Sequence, residues 1–168
     1  MRVRGAGPVV IGLVAVLMLA GCGDGDDEQT LSEQELVTQS NQICATAAQR
    51  IEQDATSRFG NSQDVGSATQ LETFASDIVV PEYDKAVDQL EDLKVPEREE
   101  GDFKDFLSQT RKALDDDVKS NPVGSLSQVA AQDPFVEANR QAQRLGLTEC
   151  ASLSQKIRAS ADRSPGKR

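Results

Sequence analysis

The chain's class is legible first in LSEQELVTQSNQICATAAQRI, residues 31–51. Ser32 and Glu35 stand at capping-box spacing, where each side chain reaches the other's backbone N–H and satisfies donors that a helix start leaves open. Leu31 and Leu36 flank them as a hydrophobic staple. Leu36, Ser40, Ile43, Cys44, Ala47, Ala48, Ile51 and Ala55 then recur at intervals of three and four. That period puts them on one helical face and points Cys44 inward. It predicts a helix running to the turn residues Phe59-Gly60-Asn61-Ser62.

The same period continues downstream. Ser67 with Gln70 caps a second helix, and Leu71, Phe74, Ala75 and Ile78 form its stripe up to Pro81. Proline lacks a donor and disfavours the helical well at Val80, so a kink or break is expected there. The stripe resumes through Tyr83, Ala86, Val87, Leu90 and Leu93, and Pro96 closes the segment and suits the first position of the next. A third helix carries Phe103, Phe106, Leu107, Thr110, Leu114 and Val118 until Asn121-Pro122-Val123-Gly124 breaks it. The stretch 126–131 reads as a minor helix. Asp133-Pro134, an N-cap acceptor followed by proline, opens a fourth helix that buries Phe135, Ala138, Ala142 and Leu145. Gly146 suits the left-handed position after it, with Leu147 as the apolar residue that follows. Ala151, Leu153 and Ile157 point to a short last helix beyond Cys150. No segment alternates convincingly at period two. The expected fold is all-α, a bundle of about four main helices, one kinked at Pro81, with short additional helices.

Balance and residue types narrow the function. The 168 residues carry 28 acidic against 18 basic side chains, a formal net charge of −10. Such a chain repels phosphate backbones, so no nucleic-acid partner is expected. It contains no histidine, which excludes Ser-His-Asp and Cys-His catalysis and histidine zinc sites. Carboxylate chemistry remains. Asp115-Asp116-Asp117 would have to converge on a hard cation, but successive helical residues point about 100° apart. The run reads as a solvated helix end, and no metal or other cofactor is expected. Glu97, Glu99, Glu100 and Asp102 read as acids favouring the positive start of the third helix. One tyrosine, five phenylalanines and no tryptophan supply aromatics that read as core. A minority alternative is a ligand pocket at Pro81 and Tyr83, where a kink frees carbonyls beside an amphipathic ring.

The amino terminus carries its own message. Arg2 and Arg4 precede an apolar run from Pro8 to Ala20, too short for a comfortable bilayer span of roughly 20 residues. Leu19-Ala20-Gly21 offers the small residues of a cleavage point. Leu19-Ala20-Gly21-Cys22 resembles the lipobox of bacterial lipoproteins. The resemblance implies residues 1–21 as signal peptide, diacylglyceryl on Cys22 and attachment to the extracytoplasmic face of the cell membrane. Two acyl chains anchor stably, at about 0.8 kcal/mol per buried methylene. Residues 22–30, including GDGDDEQ, then read as an acidic flexible spacer, for which seven residues span about 15 Å. Residues 31–159 are the expected helical domain and 160–168 a polar, disordered tail. With Cys22 given to lipid, Cys44 and Cys150 remain as a pair in an export compartment, where a disulfide is the default. It would close a loop of about a hundred residues and clip the first helix to the chain after the fourth.

Asn41-Gln42-Ile43-Cys44 in the first helix, Val95-Pro96 in the middle and the segment from Ala142 through Gly146 to Cys150 resemble small secreted helical proteins of high-GC Gram-positive bacteria, which are mostly uncharacterised. The resemblance is one of scaffold and carries over no catalytic residue. The expected function is a membrane-anchored, non-enzymatic module that binds another envelope component, protein or small molecule, through a helix face. An exposed apolar patch of several hundred Å2 is the feature expected of it. The alternative is an envelope enzyme working through carboxylates, which requires two acids in one cleft with strongly raised pKa values.

Overall fold

The computed structural model describes residues 30–59, 67–126 and 133–161. The expected signal peptide, Cys22 and the expected spacer through residue 29, residues 60–66, residues 127–132 and the expected tail from residue 162 lie outside the described residues. Within them the regular structure is helical throughout. Its order is α1 (Glu33–Phe59), α2 (Ala68–Phe74), a π-helical turn (Ala75–Val79), α3 (Val80–Glu91) and α4 (Glu100–Lys112). A second π-helical turn (Ala113–Val118), α5 (Pro122–Leu126), α6 (Val136–Arg144) and α7 (Thr148–Ala161) follow. The all-α bundle is what the periodicity predicts.

The start of α1 is built by the capping box. The Ser32 N–H donates to Glu35 Oε2 at 2.8 Å, and the Glu35 N–H donates to Ser32 Oγ at 3.3 Å. Leu36 is buried and Leu31 packs against the same cluster, as a staple requires. At 27 residues the helix is about 40 Å long, and it reaches two adjoining apolar clusters. One gathers Ile51, Phe74, Ile78, Val79, Leu114, Val118 and Ile157. The other gathers Leu36, Cys44, Leu90, Phe103, Phe106, Ala142 and Leu147. α1 packs most extensively on α7, and α4 on α6.

Cys44 and Cys150 lie 1.98 Å apart at sulfur and 5.0 Å at Cα. Both are buried, so the disulfide ties the middle of α1 to the first turn of α7. Gly146 takes φ 73°. The Leu147 N–H bonds Ala142 O at 2.8 Å and the Gly146 N–H bonds Gln143 O at 3.1 Å, which is the Schellman closure of α6.

Several boundaries correct the sequence reading. Pro81 does not break the helix. Val80 keeps φ −61° and ψ −50°, and its N–H bonds Ala75 O, five residues back. The wider π turn just before proline accommodates both the missing donor and the ring's clash with the carbonyl four residues earlier. α2, the π turn and α3 therefore follow one another without a break. Pro96 opens a turn, with the Glu99 N–H on Pro96 O at 3.0 Å, and α4 starts only at Glu100. Pro122 starts α5 at its first helical position, inside the Asn121–Gly124 stretch read as a break, while the minor helix expected at 126–131 lies outside the described residues beyond Leu126. Asp133 caps a turn and not α6. Its Oδ1 accepts the Phe135 N–H at 2.9 Å, and Pro134 fills the second turn position it favours. α7 spans 14 residues, contains Cys150 and runs through Ser160, which the composition assigned to the tail.

Candidate functional site

The feature best suited to hold a ligand is a groove of about 740 Å3 between the end of α3, the loop after it and α4. Its apolar surface comes from Leu93, Val95, Phe103 and Leu107, and its charged walls from Lys94, Lys104, Arg111, Glu91 and Glu100. Thr30, where the described chain begins, also lines it. The volume lies within the range of about 300–1,000 Å3 usual for small-molecule sites.

Each wall has a local cause. α3 stops at Glu91, and Leu93 and Val95 continue as loop, half-buried against the Leu36–Phe103 cluster. The Leu31 N–H donates to Lys94 O at 2.8 Å, which pins the incoming chain across that loop. Phe103 and Phe106 meet edge to face at 6.0 Å and anchor α4 below. Arg111 donates from Nε and Nη2 to the two carboxylate oxygens of Glu91, both at 2.9 Å, and from Nη2 to Asp88 at 2.9 Å. This fork holds the Glu91 carboxyl below its ordinary range and pushes the guanidinium further up. Lys104 pairs with Glu100 one turn away.

The structure also locates the other candidates. Tyr83 is 4% exposed and stacks on Phe135 with ring centroids 4.8 Å apart. Burial, then the nearby Asp133 charge, push its hydroxyl well above the ordinary tyrosine range. The space beside it is about 20 Å3, enough for about one water. Pro81 is exposed on the outer face. The pocket weighed at these two residues is therefore filled at Tyr83 by core packing. Asp115, Asp116 and Asp117 are all exposed, with Asp115 on Lys119 and Asp116 on Lys112. Among the described residues no acid and cysteine cluster is arranged to hold a metal, and no Asp or Glu is buried.

Two polar constructions were not read from sequence. Asn41 of α1 accepts the Glu149 N–H at 2.8 Å and donates to Gly146 O at 3.2 Å, so it caps α7 from another helix. Asp133 accepts from Ser154 Oγ at 2.8 Å and Asn139 Nδ2 at 3.3 Å, tying the turn before α6 to α7. Asn41 lies one helical turn before Cys44, and that proximity to the clip is the only sequence signal for it.

Comparison with protein families, with curated proteins and with solved structures finds no match to this chain.

Proposed function

We propose that the chain is a lipid-anchored extracytoplasmic binding module whose ligand lies in the groove between α3 and α4. The observation that carries this reading is that Thr30, which follows the short acidic run after Cys22, is part of the groove wall. Two acyl chains on Cys22 would hold the groove about 16 Å from the bilayer surface at flexible-coil stiffness. The lipobox resemblance supports the anchor, and the groove's mixed lining of apolar and charged side chains supports recognition of a small molecule.

Concave recognition replaces the helix-face patch expected from sequence. Val136, 56% exposed, is the only large hydrophobic side chain exposed among the described residues, so no flat apolar face serves the purpose. The carboxylate alternative has little support in the groove. Glu91 is committed to Arg111 and held below its usual range, whereas a general acid needs a raised one.

Mass spectrometry of the membrane fraction should find diacylglyceryl on Cys22, and Cys22→Ala should release the chain. A photo-crosslinking residue at Ser108, on the groove wall, should capture an envelope component in intact membranes. The same residue at exposed Gln155 should capture none. Equal capture at both positions, or none at either, overturns the groove as the binding site. An unmodified wild-type chain in the soluble fraction overturns the anchor.

A further inference from the structure

At the centre of the bundle, away from the groove, packing leaves one polar group open. Tyr83 is 4% exposed, and its hydroxyl makes no hydrogen bond among the described residues. A phenol taken out of water without a partner is costly, so such groups are nearly always paired. Burial and the Asp133 charge keep this one protonated, and it therefore offers a donor. Tyr83 borders a space of about 20 Å3 that Thr110 and Asn139 also line. The Thr110 hydroxyl spends its proton on Phe106 O at 2.9 Å. Asn139 Nδ2 spends its hydrogens on Asp133 Oδ2 at 3.3 Å and Ser154 Oγ at 3.0 Å. Thr110 Oγ1 and Asn139 Oδ1 therefore keep lone pairs to accept with.

One donor and two acceptors around a water-sized space define the guest. An apolar guest would leave all three groups unpaired, and an ammonium has no lone pair for the phenol proton. A buried water typically makes about three hydrogen bonds in a space of this size. We infer that a single water sits there, accepting from the Tyr83 hydroxyl and donating to Thr110 Oγ1 and Asn139 Oδ1. It joins α3 and α4 to the Asp133–Asn139–Ser154 network, so that four helices meet through polar contacts at a point where apolar packing alone sets no unique register.

Tyr83 is the only tyrosine of a chain without tryptophan, so the tyrosine doublet in ultraviolet resonance Raman reports this hydroxyl alone. In the full chain held in detergent micelles, the doublet should be that of a hydrogen-bond donor. Water relaxation dispersion should count about one long-lived water fewer in Tyr83→Phe than in the wild type. Thr110→Val keeps the shape and removes an acceptor, and it should move the doublet toward an unbonded phenol; Thr110→Ser should restore it. Tyr83→Phe and Thr110→Val should couple by about fivefold in the folding equilibrium constant. An unbonded phenol in the wild type overturns the inference, as does an unchanged water count in Tyr83→Phe. A bonded phenol whose doublet is indifferent to Thr110→Val gives the hydroxyl a direct protein partner, Asp133 first, and also overturns it. Where Thr110→Val fails to fold, the water count in Tyr83→Phe decides alone.

Discussion

Opening the Cys44–Cys150 bond should remove a large share of the domain's stability. The bond joins residues 106 apart in sequence, and constraining a loop of that length lowers unfolded-chain entropy by the equivalent of about 4.7 kcal/mol. Domains are stable by only about 5–15 kcal/mol, so the bond accounts for about a third to nearly all of the stability of a domain in that range. At a urea slope of about 1.5–2 kcal/mol per molar, the midpoint should fall by about 2–3 M. Both sulfurs are buried, so Cys44→Ala with Cys150→Ala adds lost packing, about 1 kcal/mol per sulfur. Comparing oxidised wild type, thiol-reduced wild type and the double variant separates the two contributions. Reduction measures the loop alone, and the further step to the double variant measures packing. A loss under about 1.5 kcal/mol on reduction would refute the loop argument. It would mean that α1 and α7 stay together in the unfolded ensemble without the bond.

Three other outcomes follow from particular contacts. Phe135→Ala removes the ring stacked on Tyr83 and should cost about 3–5 kcal/mol in denaturant unfolding; a cost under 1 kcal/mol would return Tyr83 and Phe135 to the status of a loosely filled pocket. Asn41→Ala should cost about 1–2 kcal/mol, and Asn41→Asp less, because it keeps the acceptor at the start of α7, where negative charge is favoured. Equal costs would show that the bond to Gly146 O, not the cap, matters. Glu35 lies below its ordinary 4.5 because of the Ser32 hydroxyl and backbone N–H bonds. Asp77 is lowered chiefly by Arg58, and Glu91 by Arg111. A depressed folded value gives stability that is complete above the unfolded value and lost as pH falls through the folded one. Stability should therefore decline on acidification below about pH 4.5, and the decline should be shallower in Glu35→Ala when urea midpoints are compared across that range.

Much of the fold could be read from local rules because the signals are local. Ser32 with Glu35, Ser67 with Gln70 and Gly146 satisfy or close helix ends using neighbours within a few residues, and the structure contains all three. The apolar stripe of α1 identified Cys44 as inward for the same reason. What escaped depends on contacts across the chain. The length of α7 is set at its start by Asn41, 108 residues away from its partner Glu149. The π turn before Pro81 is a choice between two helical windings, and the apolar spacing of Leu71, Phe74 and Ile78 is compatible with both. Asp133-Pro134 carries a capping signal that a β-turn satisfies as well as a helix does, and Ser154 and Asn139 stabilise the turn.

The groove was hidden for a related reason, because it arises where a helix stops early. Val95 precedes Pro96, and a residue before proline is disfavoured in the helical well; Val80 before Pro81 overcomes that bias, whereas the chain before Pro96 has already left the helix. α3 ends at Glu91, and Leu93, which the periodicity assigned to its buried stripe, becomes a loop residue only half-covered by the core. Leaving the helix also frees Lys94 O, which then accepts the Leu31 N–H and draws the incoming chain over the gap. The two apolar side chains and the carbonyl that a longer helix would have buried thus become a lined concavity beside the amino terminus. Replacing Pro96 with alanine tests that bias: if the constraint on Val95 helps end α3, the variant should gain helical signal in circular dichroism as the helix lengthens across the groove, and an unchanged spectrum would place the cause of the early stop elsewhere.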